Sequence, residues 1–252
     1  MIAAAVAKST DYDRVEGSPT LEIKEKALSL GANLVGIADL DLLRGIDCQP
    51  ADLLSHYNYA ISMAVKLPNA IFEQLDDRPT PHYARVYQQV NILLDHVALQ
   101  LSSYIEDLGY RSLPIPASQL LDMEKLNSHL SSKAVANVAG LGWQGKSLLI
   151  VTPEYGPRVR FVTLLTDMDL DADSPLENRC GSCHFCADAS VAQAIRNVST
   201  DFHYADREEA LDFKKCADKL LKEFMLIPNV ETPICGICIK VCPWGRKLKK
   251  RG

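Results

Sequence analysis

Apolar residues recur at three- and four-residue steps along several stretches of the chain, which is the spacing of one face of a helix. The first stretch covers residues 20–30 and is followed by Gly31, a residue type that commonly ends helices. The longest covers residues 82–108 and is followed by Gly109, and a third covers residues 126–138. We predict a helix over each stretch, with the apolar stripe of the longest helix packed against a core.

Short apolar runs bounded by turn-forming residues predict β-strands between and after these helices. The predicted strands cover residues 33–38, 59–65, 110–115, 147–152 and 159–166. The last two flank Pro153-Glu-Tyr-Gly-Pro157 and are predicted to pair as a hairpin. Because helices and strands alternate without a strict repeat, the pattern favours an α+β sandwich over a doubly wound parallel sheet.

The length and composition allow one large domain or two small ones. The chain has 252 residues, of which 47% are hydrophobic, so it can bury a substantial core. An acidic stretch at residues 167–173, followed by Ser174-Pro175, marks the best candidate for a boundary. We therefore predict an α+β domain over residues 1–173 and a second domain over residues 174–252.

The chain has no recognisable export or membrane signal. No run approaches the roughly 18 consecutive apolar residues of a membrane span. Residues 1–8 lack the basic start and the long apolar stretch of a secretory signal, so they predict a frayed or helical N-terminus. A cytoplasmic location and no membrane partner are expected.

The overall charge argues against nucleic-acid binding. The net charge is −5 and the pI is about 5.7, so we expect no DNA partner and disfavour an RNA partner. The one basic run, residues 246–251, has two interpretations. It is either a solvated tail or a docking patch for an acidic electron donor or an RNA.

Seven of the eight cysteines lie in the last third of the chain. Besides Cys216 they form two runs, Cys180-Gly-Ser-Cys183-His-Phe-Cys186 and Cys235-Gly-Ile-Cys238-Ile-Lys-Val-Cys242-Pro243. These runs match parts of the bacterial ferredoxin pattern C-x2-C-x2-C-x3-C-P, so they predict iron–sulfur ligands. Disulfides are disfavoured because the chain has no export signal. Zinc is disfavoured because three thiolates spaced C-x2-C-x2-C with a distant Cys-Pro are unusual for a zinc site.

The ferredoxin pattern also predicts how the thiolates are shared. In two-cluster ferredoxins, the first three cysteines of one run share a cubane with the final Cys-Pro cysteine of the other run. One 4Fe-4S cluster is therefore predicted at four residues, Cys180, Cys183, Cys186 and Cys242. The second would take Cys216, Cys235 and Cys238, with Ser190 at the position where the pattern places a fourth cysteine.

Ser190 leaves the state of the second cluster open. A serine hydroxyl is far less acidic than a thiol, whose pKa is about 8.5, so it is a weak iron ligand. The alternatives are a serine- or water-ligated 4Fe-4S cluster, a 3Fe-4S cluster, a cubane with an iron open to an added ligand, and a site without a cluster. An open iron would itself be a candidate reaction centre. Cys48, far from these runs, is expected to be an ordinary buried thiol.

A glycine-rich segment, Gly140-Leu-Gly-Trp-Gln-Gly-Lys146-Ser147, satisfies both the Walker A and the dinucleotide-binding patterns. Both motifs require a strand before the glycines and a helix after them. Here a predicted helix precedes and an apolar, strand-like run follows, so nucleotide binding is disfavoured. Two alternatives remain: a loop whose backbone approaches a flat ligand closely, and a tight helix-to-strand turn.

The segment Ala139-Gly-Leu-Gly-Trp-Gln-Gly-Lys146, residues 152–161 and the split cysteine runs ending Cys242-Pro-Trp244 resemble epoxyqueuosine reductases and the related reductive dehalogenases. The resemblance spans roughly residues 31–244. It implies a nitroreductase-like domain followed by a ferredoxin-like domain with two 4Fe-4S clusters. It also implies a corrinoid, cobalamin, that receives electrons from the clusters. The residues implied to hold it are Ala139, Gly140, Leu141, Gly142, Trp143, Gln144, Gly145 and Lys146.

The chain departs from this family at two places. Epoxyqueuosine reductases carry an aspartate proton donor in a segment resembling Asp-Thr-Gly-Pro, where this chain reads Leu126-Asn-Ser-His-Leu-Ser-Ser-Lys133. Ser190 is the second departure. No catalytic residue is assigned, and His129 and Tyr155 are the candidates for a proton donor. These features are typical of a divergent relative.

Two functions follow from these observations. The first is a cobalamin-dependent reductase that passes electrons through two clusters to the corrinoid and reduces a small-molecule or nucleoside-like substrate. The alternative is a non-catalytic, ferredoxin-like carrier that delivers electrons to a partner or to a corrinoid protein. In both cases the expected partner is an external electron donor such as ferredoxin or flavodoxin.

Overall fold

The computed structural model describes residues 18–122 and 126–246. The predicted N-terminal segment, residues 1–8, lies outside the described residues, as does the basic run after Arg246. Across the two described ranges, no helix is both long enough and apolar enough to cross a membrane.

A four-stranded antiparallel sheet forms the centre of the fold. In chain order its strands are β1 (Leu34–Asp39), β2 (Tyr59–Lys66), β3 (Ser112–Ile115) and β6 (Val159–Thr166). In space the order is β1, β2, β6, β3, and each neighbouring pair is antiparallel. Two shorter strands, β4 (Trp143–Gln144) and β5 (Ile150–Val151), pair with each other apart from this sheet.

Helices cover the sheet and carry three of the C-terminal cysteines, Cys186, Cys216 and Cys238. Three of these helices are α1 (Pro19–Ser29), α3 (Pro81–Asp107) and α4 (Ser132–Val138). Side-chain caps start them, since Ser18, Thr80 and Ser131 each accept a hydrogen bond from a backbone N–H of the first turn. The remaining helices are α2 (Asn69–Glu73), α5 (Phe185–Asp188), α6 (Arg207–Ala210), α7 (Phe213–Lys222) and α8 (Ile237–Val241).

The alternation of side chains along β2 separates two buried layers. Ile61 and Met63 pack in one layer with Leu94 and Leu101 of α3, as the long apolar stripe predicts. Ala60 and its neighbours on the opposite face pack in a second layer, against α4. Successive side chains of a strand point to opposite faces of the sheet. The order of apolar residues along β2 therefore determines which helix packs on which face.

A row of small residues lets α4 lie close to the sheet. Gly36, Ser62 and Thr163 are register partners on three adjacent strands. A Cβ built on Gly36 would lie 2.2 Å from the carbonyl oxygen of Ala139, the residue that ends α4. This close approach fixes the end of α4 against the sheet, and the glycine-rich segment begins at that end.

Two predicted elements are wrong. The helix predicted over residues 126–138 begins only at Ser132, because the Ser131 side chain caps it and Leu126 has a left-handed φ of 49°. The hairpin predicted from residues 147–152 and 159–166 does not form. Instead β5 pairs with β4, a strand that lies inside the glycine-rich segment. The strand β6 pairs with β2 and β3.

The C-terminal segment shares the core of the sheet. Val230, Ile234 and Ile237 are buried in the same layer as α3. The predicted boundary is also anchored, since Asp173 accepts a hydrogen bond from the backbone N–H of Ile37 and pairs with Lys24 at 2.7 Å. The division into residues 1–173 and 174–252 stays a prediction, and the buried contacts run across it.

We predict that Gly36→Ala destabilises the fold by about 3 kcal/mol, because its Cβ would clash with a backbone carbonyl rather than with a movable side chain. The matched control is Gly45→Ala, where an added Cβ meets nothing within 4 Å and only the positive φ of 88° is unfavourable. That variant should lose about 1 kcal/mol. Urea denaturation followed by circular dichroism measures both. Equal losses would show that α4 is free to shift.

Candidate metal centre

The first cysteine run is a turn followed by a short helix. The backbone N–H of Cys180 donates to Oδ1 of Asn178 at 2.8 Å, and the N–H of Cys183 donates to the carbonyl of Cys180 at 3.1 Å. Cys186 lies in α5, the helix that follows. The turn and the helix together point three thiols, each separated from the next by two intervening residues, toward one region.

The second run turns at a glycine and then enters α8. Gly236 has a φ of 86°, a conformation that side chains rarely adopt, and a Cβ there would lie within 2.8 Å of Leu75 and Tyr83. Cys238 is in α8, and Cys242 is the residue that ends it. A glycine between the cysteines therefore allows this run to pack tightly against α3.

The two runs line one cavity. The thiols of Cys180, Cys183, Cys186 and Cys242, predicted to share a cluster, are all in its wall. The remaining lining residues are Gly145, Lys146, Ser147, Val151, Pro157, Cys238, Pro243 and Trp244. A Cβ on Gly145 would lie 3.6 Å from Sγ of Cys180, so the glycine-rich segment forms the part of the wall beside that thiol. The structure thus brings the predicted first ligand set together.

Burial favours the neutral form of two thiols of this cavity, those of Cys242 and Cys186. It raises the pKa of Cys242 to about 11, against smaller lowering contributions from the N–H of Trp244 and the charge of Arg158. Burial and the nearby thiols of Cys180 and Cys183 raise the pKa of Cys186 as well. A thiolate here is stable only beside a cation, which is the condition that a bound metal provides.

The other three cysteines form a second group beside the first. Burial raises the pKa of Cys235 to about 11, with a further contribution from Cys216. Burial also raises the pKa of Cys238, and the thiols of Cys235, Cys216 and Cys186 add to it. Cys238 interacts with Cys186 of the first group, so the two groups are neighbours. The partition into two ligand sets stays a prediction, and Cys238 of the second set also lines the cavity of the first.

Ser190 makes a local contact in this structure. Its hydroxyl accepts a hydrogen bond from the backbone N–H of Ala194 at 3.1 Å, in the turn that follows α5. The role of Ser190 as a ligand stays a prediction. Cys48 is 8% exposed and lies in the core beneath the sheet, as expected of a buried thiol.

Over residues 18–122 and 126–246, no group of three or more His, Cys, Asp or Glu side chains is arranged to hold a metal ion. A zinc ion requires four ligands converging on one point, whereas a cubane spreads its four thiolates over four irons.

Lys146 ties the glycine-rich segment to the first cysteine run. Its side chain is 4% exposed, and its Nζ donates to the carbonyl oxygen of Cys183 at 2.8 Å and to Oδ1 of Asn197 at 3.0 Å. A buried ammonium is stable only when it is hydrogen-bonded. Lys146 thereby holds the turn that carries Cys183.

Arg158 does the same for the second run. It is 3% exposed and donates to the carbonyl oxygens of Trp244 at 2.5 Å, Lys240 at 3.1 Å and Cys242 at 3.2 Å. Burial lowers its pKa, and the nearby Cys242 opposes that effect. Sequence reasoning missed Arg158. The only signal was a charged residue between Pro157 and an apolar strand.

The predicted corrinoid-binding residues are mostly buried against the protein itself. Trp143 is completely buried, with its ring edge-on to Trp244 at a centroid distance of 4.8 Å. A Cβ on Gly140 or Gly142 would lie 2.5 Å from a backbone oxygen of the chain. Gln144 accepts hydrogen bonds from Tyr204 and Asn178, through its side chain and its carbonyl. Ala139 and Leu141 are also buried.

The segment is flanked as the sequence predicts for a helix-to-strand turn. The helix α4 precedes it and the strands β4 and β5 lie within and after it. Nε1 of Trp143 is buried and has no hydrogen-bond partner among the described residues. The candidate proton donors lie elsewhere: Nδ1 of His129 is 2.8 Å from the carbonyl oxygen of Gln49, and the ring of Tyr155 lies beneath Lys66.

The fold and the site together define a mixed α/β protein in which two cysteine groups face a glycine-rich segment. No family model matches the chain. An epoxyqueuosine reductase from Synechococcus sp. (strain CC9605) is 28% identical over 93% of this chain and 70% of its own length. One from Vibrio cholerae is 26% identical over 89% of this chain and 66% of its own length. The chain thus spans about two thirds of these relatives.

Two solved structures share the fold. The epoxyqueuosine reductase from Streptococcus thermophilus superposes with a TM-score of 0.57 at 22% identity, over 90% of this chain and 66% of that one. The catabolic reductive dehalogenase NpRdhA superposes with a TM-score of 0.68 at 20% identity, over 89% of this chain and 31% of that one. The predicted resemblance to epoxyqueuosine reductases and reductive dehalogenases is confirmed.

We predict that Lys146→Met destabilises the protein by about 3 kcal/mol, because the carbonyl of Cys183 and the amide of Asn197 lose a charged donor. Anaerobically reconstituted protein should also retain less iron, since the turn carrying Cys183 is released. The control is Lys214→Met, whose side chain is 79% exposed. Urea denaturation and iron assay of both variants test this. Unchanged stability and iron content in Lys146→Met would contradict the role of this lysine.

Proposed function

We propose that this protein is an iron–sulfur oxidoreductase of the epoxyqueuosine reductase type. The proposal includes a nitroreductase-like α+β domain over residues 1–173 and a ferredoxin-like, two-cluster domain over residues 174–252. The named relatives support it over most of the chain. The observation that carries it is the arrangement of seven cysteines in two adjacent groups that meet at Cys186 and Cys238.

The residues present fit a cluster in the first group. Its four partly buried cysteines line one cavity with Cys238, and the rest of the wall consists of Lys146, Ser147, glycine, proline and apolar side chains. Two buried cations, Lys146 and Arg158, lie at the backbone of the two runs and favour the negative charge of thiolate ligands. The unpaired indole N–H of Trp143 is a further donor near this wall. When bound, such clusters supply one-electron transfer.

The chain's own residues would protect and tune that transfer. Val151, Pro243 and Trp244 line the cavity and limit the access of water to it. Hydrogen bonds and low solvent exposure are the protein's means of setting a cluster potential. Phe185, between Cys183 and Cys186, is 50% exposed and offers a surface for the proposed external donor, a ferredoxin or a flavodoxin. We place this exchange in the cytoplasm.

A corrinoid is the electron acceptor that the resemblance proposes, and its substrate would be a small molecule or a nucleoside-like compound. The residues expected to hold it do not fit as its contact surface in this structure. Trp143 and Lys146 are buried, and the hydrogen-bonding groups of Gln144 are engaged with the C-terminal segment. A corrinoid held by this chain would therefore contact other residues.

The burial of that segment favours a second candidate function. A carrier that delivers electrons to a partner, or to a corrinoid on another protein, needs the cysteine groups and not a corrinoid surface of its own. The missing aspartate in residues 126–133 is consistent with this alternative. The two candidates differ in one measurable property, which is cobalamin binding by this chain.

We predict about eight iron and about eight sulfide ions per chain after anaerobic reconstitution, if both groups carry 4Fe-4S clusters. Cys183→Ala and Cys238→Ala should each lose about half of the iron, because each removes a ligand of a different group. Ser190→Cys should alter only the EPR signal that Cys238→Ala removes. A wild-type protein that binds zinc without sulfide would contradict the two-cluster proposal.

For the reductase candidate we expect stoichiometric binding of hydroxocobalamin to the reconstituted protein, seen as a shift in the visible spectrum. The carrier candidate predicts no such shift, with electron transfer from the reduced protein to an added acceptor preserved. Substrate turnover by the isolated chain with an artificial reductant would exclude a carrier-only role. Cys183→Ala is the control for electron transfer, since the proposal places that residue in a cluster.

A further inference from the structure

A groove lies on the surface where α5 and α8, the short helices of the two cysteine runs, pack against each other. This α5–α8 groove encloses about 420 Å³ and is lined by Phe185, Asp188, Ala189, Val241 and Arg246. Phe185, Asp188 and Arg246 are exposed, so the groove opens to solvent. It is separate from the cavity that the thiols line, because the two share no lining residue.

Two apolar residues connect the α5–α8 groove to proposed cluster ligands. Phe185 directly precedes Cys186 in α5, and Val241 directly precedes Cys242, the residue that ends α8. Both cysteines line the cavity of the first group. Because consecutive Cα atoms are about 3.8 Å apart, a redox centre bound in the groove would lie next to a proposed cluster.

Phe185 gives the groove an exposed aromatic anchor. Its side chain is 50% exposed, and the ring of His184 lies edge-on to it at a centroid distance of 5.4 Å. Together with Ala189 and Val241 it forms a small apolar surface. Aromatic residues are enriched at the centres of protein interfaces, where they insert into the surface of the partner. The groove therefore has the apolar centre of a protein-binding site.

The rim of the groove carries a fixed positive charge. Arg246 donates from Nε and Nη2 to the carbonyl oxygen of Lys240 at 3.2 Å and 2.5 Å, which holds its guanidinium at the end of α8. The acidic lining residue, Asp188, pairs with Nδ1 of His184 at 2.5 Å. Over residues 18–122 and 126–246, Arg246 forms no ion pair with a carboxylate. Its charge is thus available to a partner.

More positive charge follows Arg246 in the sequence. Four of the next five residues, 247–251, are Lys or Arg. Five residues span at most about 18 Å, so these cations lie near the rim of the groove whatever conformation they adopt. The net charge of the whole chain is −5, so this concentration of positive charge is local. An apolar groove with a basic rim is complementary to a partner whose apolar patch is surrounded by carboxylates.

We propose that the α5–α8 groove is the docking site of an acidic one-electron carrier protein. Electron transfer at this site rests on the proposed function. The reduced centre of the carrier loses one electron and a cluster behind Phe185 and Val241 gains it, so no bond forms or breaks. Complexes of redox proteins bury small interfaces, which suits a groove of this size. RNA fits less well, because single-stranded RNA is bound by basic grooves with several aromatic residues.

The test measures electron transfer between the anaerobically reconstituted protein and two acidic carriers, a ferredoxin and, separately, a flavodoxin. Stopped-flow spectroscopy follows transfer from the reduced carrier, and also from the dithionite-reduced protein to the oxidised carrier, so that one direction is downhill whatever the potentials. The rate constant should fall as salt rises from about 20 to about 500 mM, because salt screens the attraction between opposite charges. Isothermal titration with the oxidised carriers measures docking by itself.

Two variants separate the anchor from the charge. Phe185→Ala should lower the rate constant about tenfold at low salt, because it removes the aromatic anchor. Lys249→Gln combined with Lys250→Gln should lower it about threefold and flatten its salt dependence, because it removes charge that steers the carrier. The matched control is Arg44→Gln combined with Arg111→Gln, which removes the same charge at positions that are 80% and 72% exposed. It should transfer electrons as the wild type does.

Neither lysine adjoins a cysteine, so the double lysine variant remains a test if Phe185→Ala fails to hold its clusters. Absence of binding and transfer with both carriers in iron-loaded wild type would overturn the proposal. Equal rate constants in the wild type and the double lysine variant would also overturn it. So would an RNA hairpin that binds the wild type and binds Phe185→Ala more weakly, with carrier transfer unchanged. Failure of the two-cluster proposal would appear separately, as missing iron and sulfide in a protein that still binds the carrier.

Discussion

The structure depends on two buried cations that donate hydrogen bonds to the backbone of the cysteine runs. Lys146 holds the carbonyl of Cys183, and Arg158 holds three carbonyls around Cys242. A buried charge without partners would be strongly unfavourable, so these side chains are stable only when both runs are in place. The same contacts join the sheet to the segment that carries the thiols. Packing of the cysteine groups and packing of the sheet are therefore coupled.

This coupling gives the glycine-rich segment its role. Its glycines allow close approach to the chain's own backbone, at Ser174 and Val151, and its wall adjoins Cys180. The segment is thus a surface on which the cysteine runs dock. A loop with the same sequence pattern elsewhere could accept a flat ligand, because glycine permits either neighbour. In this structure residues of the C-terminal segment, Ser174 and Cys180, are among the neighbours of that loop.

The two cations at the first cysteine group, Lys146 and Arg158, are buried and hydrogen-bonded to main chain, so they stabilise a fixed geometry.

The sequence by itself determined the elements with strong local signals. The long helix was predicted at residues 82–108 and is Pro81–Asp107, the strand at 159–166 is unchanged, and the two cysteine runs singled out by their spacing line one cavity. Strand pairing, the late start of α4 at Ser132, and the partners of Lys146 and Arg158 required the tertiary structure. The physical reason is the sequence distance over which each interaction acts. Periodicity, caps and spacing act over a few residues, whereas Arg158 and Cys242 are 84 residues apart and come into contact only in the folded chain.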